Sequence, residues 1–175
     1  MKRILVKTVF LVFIFFISCE TIEDLLTFTI SDSTTVTIEN NYGVDVPFSF
    51  PTPDITTNSS QEFENNNTRA DLVKSVKLKQ LRLAIQSPED FTFSFLKSLH
   101  IYISADGLEE KEIAYKDDIP KEATSIDMET TGTDLKAYVK KDAYDLRFEA
   151  VTREAFARDV TIKAEMEFKV KADPL

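Results

Sequence analysis

An all-β fold, an antiparallel two-sheet β-sandwich (Ig-like) with one or two short helices, is what this 175-residue sequence predicts, and three observations carry it. Apolar and polar residues alternate with period two through most of the chain, the mark of strands with one buried face. Ser-, Asp-, Pro- and Gly-containing turns interrupt those runs at short intervals, while helical spacing is confined to brief stretches. The hydrophobic fraction of 43% and the charged fraction of 29% describe a chain able to bury one core without disulfide or metal staples.

Leu26, Phe28 and Ile30 alternate with Thr27 and Thr29, and Val36 and Ile38 repeat the pattern after Ser31-Asp32-Ser33, which reads as a turn. Val46, Phe48 and Phe50 come next, with Pro47 marking an edge strand or a bulge because proline cannot donate to a ladder. The stretch from Thr56 to Thr68 holds only Phe63 as an apolar residue and reads as a solvated loop or weak edge strand. Thr68-Arg69-Ala70-Asp71 has the spacing of a capped helical turn, with Thr68 as N-cap. Val76 and Leu78 then share one parity, whereas Leu81, Leu83 and Ile85 share the other. A strand changes faces only by adding a residue, so a β-bulge is expected at Lys79–Gln80.

Leu99, Ile101 and Ile103 make a clean strand, closed by an Ala105-Asp106-Gly107 turn. Residues 111–115 and 124–128 are weaker strand candidates, and residues 133–140 read as a short helix with Leu135, Tyr138 and Val139 on one face. Two long strands complete the domain, at 144–151 and 159–170. Paired as a hairpin, they place charges best when opposed residue numbers add to 312, which sets Glu149 against Lys163, Arg147 against Glu165 and Phe148 against Ala164. Phe156 then falls near the loop tip.

Several chemistries are excluded by composition. One cysteine forbids an internal disulfide or a Cys-based zinc cluster, and one histidine forbids a two-His metalloprotease helix. Three isolated glycines (Gly43, Gly107, Gly132) offer no phosphate-binding loop or dinucleotide fingerprint. A formal charge of -9 argues against nucleic acid as a partner. His100 has the parity opposite to Leu99 and Ile101, so it is expected on the wet face of its sheet and dispensable, and no Gly-x-Ser-x-Gly elbow accompanies it. The acidic runs Asp106–Glu110 and Asp117-Asp118 lack EF-hand spacing and read as solvated turns. Tyr42, in an Asn-Asn-Tyr-Gly turn, reads as a cover for one end of the core. No catalytic residue, metal or cofactor is assigned.

The N-terminus is the most specific signal. Lys2, Arg3 and Lys7 precede nine unbroken apolar residues, Val9 to Ile17, and then Ser18-Cys19. Nine residues are too few for a hydrocarbon core that needs about twenty, so the segment reads as a signal peptide. Phe16-Ile17-Ser18-Cys19 resembles the lipobox of bacterial lipoproteins, with Phe16 where such boxes usually carry Leu. The resemblance implies that Cys19, the only thiol of the chain, is acylated and becomes the first residue of the mature protein. The organisation is then residues 1–18 signal peptide, 19–25 lipidated tether and 26–175 β-sandwich domain. Loss of residues 1–18 removes Lys2, Arg3 and Lys7 and no acid, taking the formal charge from -9 to -12. So acidic a domain is expected to be held by its lipid and not by attraction to anionic headgroups.

Cys19-Glu20-Thr21-Ile22-Glu23-Asp24 resembles the acidic export tether of Bacteroidota surface lipoproteins, and Asp32-Ser33-Thr34 resembles an O-glycosylation sequon of the same group. Leu96 to Ala105, with Lys116-Asp117-Asp118-Ile119-Pro120 and the final lysine-alternating strand, looks like uncharacterised Bacteroidota lipoproteins with small β-sandwich domains. That resemblance implies an outer-membrane or cell-surface location and no established activity. The expectation is a non-enzymatic, lipid-anchored binding or structural domain whose partner, besides the membrane, is another envelope protein or a glycan. The alternative is an extracytoplasmic hydrolase whose site is built from scattered loop carboxylates.

Overall fold

The computed structural model describes residues 26–175. The signal peptide, Cys19 and the tether at 19–25 lie outside the described residues. From Thr27 onward the chain forms an antiparallel two-sheet sandwich. Its strands are β1 (Thr27–Ile38), β2 (Pro47–Pro51), β3 (Ile55–Thr56), β4 (Val73–Ser87), β5 (Leu96–Ser104), β6 (Lys111–Lys116), β7 (Ser125–Asp127), β8 (Glu129–Thr130), β9 (Ala143–Thr152) and β10 (Val160–Ala172). Two short helices, α1 (Ser59–Asn65) and α2 (Lys136–Val139), accompany them.

One sheet runs β1-β10-β4-β7 and the other β2-β9-β5-β6-β8, with β3 also pairing β9. All paired strands are antiparallel, and the first strand lies against the last. Within the expected sandwich class, this path refines the Ig-like expectation to a jelly roll, in which the chain crosses repeatedly between the sheets, β5 and β6 stay together as a hairpin, and β1 lies beside β10.

The core is where the inward rows of the two sheets meet. Tyr144, Leu146, Phe148 and Ala150 of β9 are buried, and so are Ile162, Ala164, Met166 and Phe168 of β10. The Tyr144 ring meets Phe168 edge-on, 6.3 Å away, across the sandwich. The parity expected for both strands therefore holds, and the hairpin does not. β9 lies between β2 and β5 in one sheet, β10 between β1 and β4 in the other, so Phe148 and Ala164 never pair and there is no 312 register. Apolar faces that match in sequence are stacked face to face here. Phe156, in the connection between the sheets, packs on Phe95 at 4.7 Å.

The bulge in β4 sits where the parity change requires it. Gln80 pairs Glu167 and Leu78 pairs Phe168, leaving Lys79 as the extra residue. Leu78 and Leu81 consequently both face inward and are buried. Pro47 and Pro51 bound β2, which is an edge strand. Tyr42 stacks on Phe48 of that strand at 3.8 Å and extends the ring row to Phe50 and Phe148.

Three expectations at the N-terminal third are corrected. The polar stretch 56–68 holds helix α1, because Phe63, 1% exposed, anchors one face of it against the core and meets Phe28 edge-on. Thr68 caps no helix; it is fully buried and its hydroxyl donates to the Asp173 carbonyl at 2.8 Å, tying the C-terminus to this corner. Ser31-Asp32-Ser33 is no turn but the middle of a twelve-residue strand.

The inward row of β1 runs Phe28, Ile30, Asp32, Thr34, Val36, Ile38, apolar at its ends and polar at its centre. Asp32 accepts a hydrogen bond from the Tyr144 hydroxyl of the opposite sheet at 2.9 Å. Partial burial raises the pKa of Asp32, the tyrosine bond offsets part of that rise, and Glu62 of α1 adds to it. An inward-pointing charge on a long edge strand keeps that edge from adding a further strand.

A carboxylate whose folded pKa is raised costs stability when ionised. Its contribution falls as pH rises from the unfolded value through the folded one. Asp32→Asn, which still accepts from Tyr144, should raise the melting temperature at pH 7 by up to about 3 °C, with the gain vanishing at acid pH where the carboxyl is protonated in both states; calorimetry at both pH values checks this. Tyr144→Phe should cost about 1–3 kcal/mol, because it strands the half-buried carboxylate. Asp32→Val should fold and self-associate, which sedimentation velocity detects.

Candidate functional site

The outer face of the β2-β9-β5-β6-β8 sheet gathers half-buried rings and carboxylates in two rows. Strand register sets the first as Ser49, Glu149, His100, Tyr115 and Glu129, and the second as Pro51, Arg147, Tyr102 and Glu112. Alternation explains the membership: Leu99, Ile101 and Ile103 are fully buried, so His100 and Tyr102 must face outward. A second bulge, in β6, does the same work as that in β4. Ile113 and Ala114 are both buried, and the register shift between Ile101 and Tyr102 lets Glu112 and Tyr115 share the outer face.

Arg147 organises the second row. Its guanidinium lies 4.2 Å from the Tyr102 ring centroid, forks onto Glu110 at 2.9 and 2.7 Å, and reaches Glu149 at 3.0 Å. Glu110 is held below the usual carboxylate range by that hydrogen bond from Arg147. The Tyr102 hydroxyl is pushed up by partial burial and then by the charges of Glu149 and Glu112. Tyr115 is pushed up by the charge of Glu129 and a hydrogen bond to it.

His100 faces outward as expected, yet it is not free. Its Nδ1 lies 2.6 Å from Glu112 and its Nε2 3.2 Å from Asp117, and the side chain is only 32% exposed. The expectation of a freely solvated histidine is thus corrected: the ring bridges β5, β6 and the adjoining turn. It also runs nearly parallel to Tyr115, 6.1 Å away. The two acidic runs have structural uses. Glu110 serves Arg147, Asp117 serves His100, and Asp118 lies 3.7 Å from Arg153.

A second carboxylate pair sits at the margin of this face. Asp145 is pushed up first by partial burial and then by a hydrogen bond with Asp54. A surface depression of about 380 Å³ lies on the other sheet and is lined by Ser31, Asp32, Ser33, Glu165, Met166 and Glu167. Ser33 of the Asp32-Ser33-Thr34 sequence lies there on an edge strand. Among the described residues no group of three or more His, Cys, Asp or Glu is placed to hold a metal ion, and no helix is long and apolar enough to cross a membrane.

Sequence reasoning missed the Arg147–Tyr102–Glu110 cluster. Arg147 and Glu149 were legible as outward residues of their strand, but their neighbours depended on knowing that β9 pairs β5.

No protein-family model matches the chain, and no curated protein matches it. Among solved structures it is similar to N-glycanase F (PNGase F), with 15% identity, 83% of this chain and 43% of that one covered, and a TM-score of 0.45. It is also similar to FLHE, with 10% identity, 83% and 97% covered and a TM-score of 0.35. A structure of Turnip Yellow Mosaic Virus gives 12% identity, 85% and 94% covered and a TM-score of 0.30. The chain spans less than half the length of the first of these.

Arg147→Ala should return the Glu110 pKa toward the ordinary range, as NMR titration of the carboxyl would show. In the wild type, Glu110 adds stability above its unfolded pKa, and that stability is lost as pH falls through the depressed folded value. The stability difference between wild type and variant should therefore shrink on acidification.

Proposed function

We propose that this chain is a lipid-anchored cell-envelope protein whose sandwich binds a hydroxyl-rich ligand, a glycan, on the outer face of the β2-β9-β5-β6-β8 sheet without transforming it. The observation that carries the reading is the two-row array in which His100, Tyr102 and Tyr115 alternate with Glu112, Glu129 and Glu149 on adjacent strands. Rings offer apolar faces to sugar C–H groups, and carboxylates accept from pairs of hydroxyls. Two adjacent rows of such groups suit a polymer lying along them.

The groups a hydrolase would use are the ones already engaged. A general base needs a free lone pair within reach of a substrate proton, whereas both His100 nitrogens face carboxylates, Glu112 and Asp117. The anchor rests on the sequence of residues 1–19, whose lone thiol occupies the cleavage position. The reading sets the protein at the outer membrane or cell surface.

Two outcomes are expected. Cys19→Ala should move the protein out of the membrane fraction, and mass spectrometry of the native protein should find Cys19 acylated and residues 1–18 gone; an intact, unacylated N-terminus would contradict the anchor. On an array of envelope and host polysaccharides, Tyr102→Ala should weaken the bound signal about five-fold or more while leaving the melting curve nearly unchanged. Equal signals from wild type and variant would contradict the assigned face.

A further inference from the structure

The outward row of the opposite sheet differs sharply from this acidic face. β1 contributes Thr27, Thr29, Ser31, Ser33, Thr35 and Thr37, and beside it β10 and β4 contribute a run of lysines. Lys169 pairs Lys77 directly across the ladder, and Lys171 pairs Ser75 on one side and Thr27 on the other. Like charges placed directly opposite destabilise a sheet, so a chain of charge -9 carries here an arrangement that its own folding does not favour. Lys77, Lys169 and Lys171 are all exposed, and none has an ion-pair partner among the described residues. Among nearby acids, Asp173 pairs with Lys74 and Glu167 with Lys79, while Asp134, the bridge partner of Lys77, accepts from the backbone amides of Val76 and Lys136 and forms no ion pair with Lys77. Ser75, Lys77, Lys169 and Lys171 together line a shallow depression of about 280 Å³.

Position gives this patch its meaning. Lys171 is the cross-strand neighbour of Thr27, the first residue of β1. Cys19 lies eight positions before Thr27, so extended chain puts the proposed acyl site within about 29 Å of the patch. Adjacent strands are about 4.8 Å apart, so Lys77 lies only two strands from that entry point.

We infer that Lys77, Lys169 and Lys171 form a docking surface for the phosphate headgroups of the membrane to which the chain is anchored, holding the domain with the first residues of β1 toward the bilayer and the ring-and-carboxylate face turned away. The inference rests on the anchored reading above and deepens it. It amends the expectation that the lipid alone holds the acidic domain, because Lys77, Lys169 and Lys171 cluster at one end of a face whose nearest acids are paired elsewhere. Each lysine near an anionic surface contributes about a five-fold preference, so three favour this orientation on the order of a hundred-fold.

The test is lysine footprinting. Protein extracted from native membranes is first examined by mass spectrometry at Cys19. If it is acylated, it is reconstituted as it stands; if it is not, the anchored reading fails, and the same thiol is coupled to a maleimide-headgroup lipid so that the patch is tested regardless. Vesicles of phosphatidylcholine alone and with phosphatidylglycerol are then treated with an amine-acetylating reagent. In the anionic vesicles Lys77, Lys169 and Lys171 should be labelled at least five-fold more slowly, while Lys97, Lys121 and Lys163, outside the patch, keep their rates. In the triple variant Lys77→Gln, Lys169→Gln, Lys171→Gln, whose changes are all on the surface, labelling of neighbouring Lys79 should no longer depend on lipid charge. Equal labelling of the three lysines in both vesicles, by either anchor, would overturn the proposal.

Discussion

Burial of β9 against β10 is the constraint on which the rest of this molecule depends. Each is the second strand of its sheet, flanked on both sides, and their inward rows supply the centre of the core. Because side chains alternate, sinking Tyr144, Leu146, Phe148 and Ala150 commits Asp145, Arg147 and Glu149 to one outer surface. Sinking Ile162, Ala164, Met166 and Phe168 likewise commits Lys163, Glu165, Glu167 and Lys169 to the other. The two outer faces are thus consequences of one packing event, and the bulges at Lys79 and Ile113 preserve it where the apolar parity slips.

Those faces are chemically unlike. One holds rings and carboxylates with Arg147 as its organising cation; the other holds hydroxyls and, near the start of β1, the lysines of β4 and β10. On the proposed anchored reading, the domain has one side toward the membrane and one side away from it, about one sheet spacing plus two side-chain lengths apart. The ionisable groups of the ring-bearing face are largely paired with one another, which suits recognition better than proton transfer.

Local pattern carried the sequence reading far. Parity located the buried row of β5, of β9 and of β10, and a parity change alone located the Lys79 bulge, because each is settled by neighbours within a few residues. Pairing is not local. The hairpin register failed because charge and size complementarity between 144–151 and 159–170 was compared edge to edge, while the fold stacks those strands face to face. Asp32 hid half of β1 for a related reason. A carboxylate in an inward position reads as a turn until Tyr144, 112 residues away, is there to donate to it. Helix α1 was obscured by having a single buried apolar residue, Phe63. His100 was placed on the correct face, but its two acids come from β6 and the turn beyond it, which no spacing along the chain reveals.

Recognition by the outer face of the β2-β9-β5-β6-β8 sheet, without a cleft, is the claim on which the function rests. Amide shift mapping by NMR, with an envelope polysaccharide titrated into the labelled protein, tests it most directly. Perturbations should cluster at Ser98–Ser104, Lys111–Lys116 and Asp145–Glu149, spanning both rows. Shifts concentrated instead around Ser31–Ser33 and Glu165–Glu167, or spread without a cluster, would contradict it.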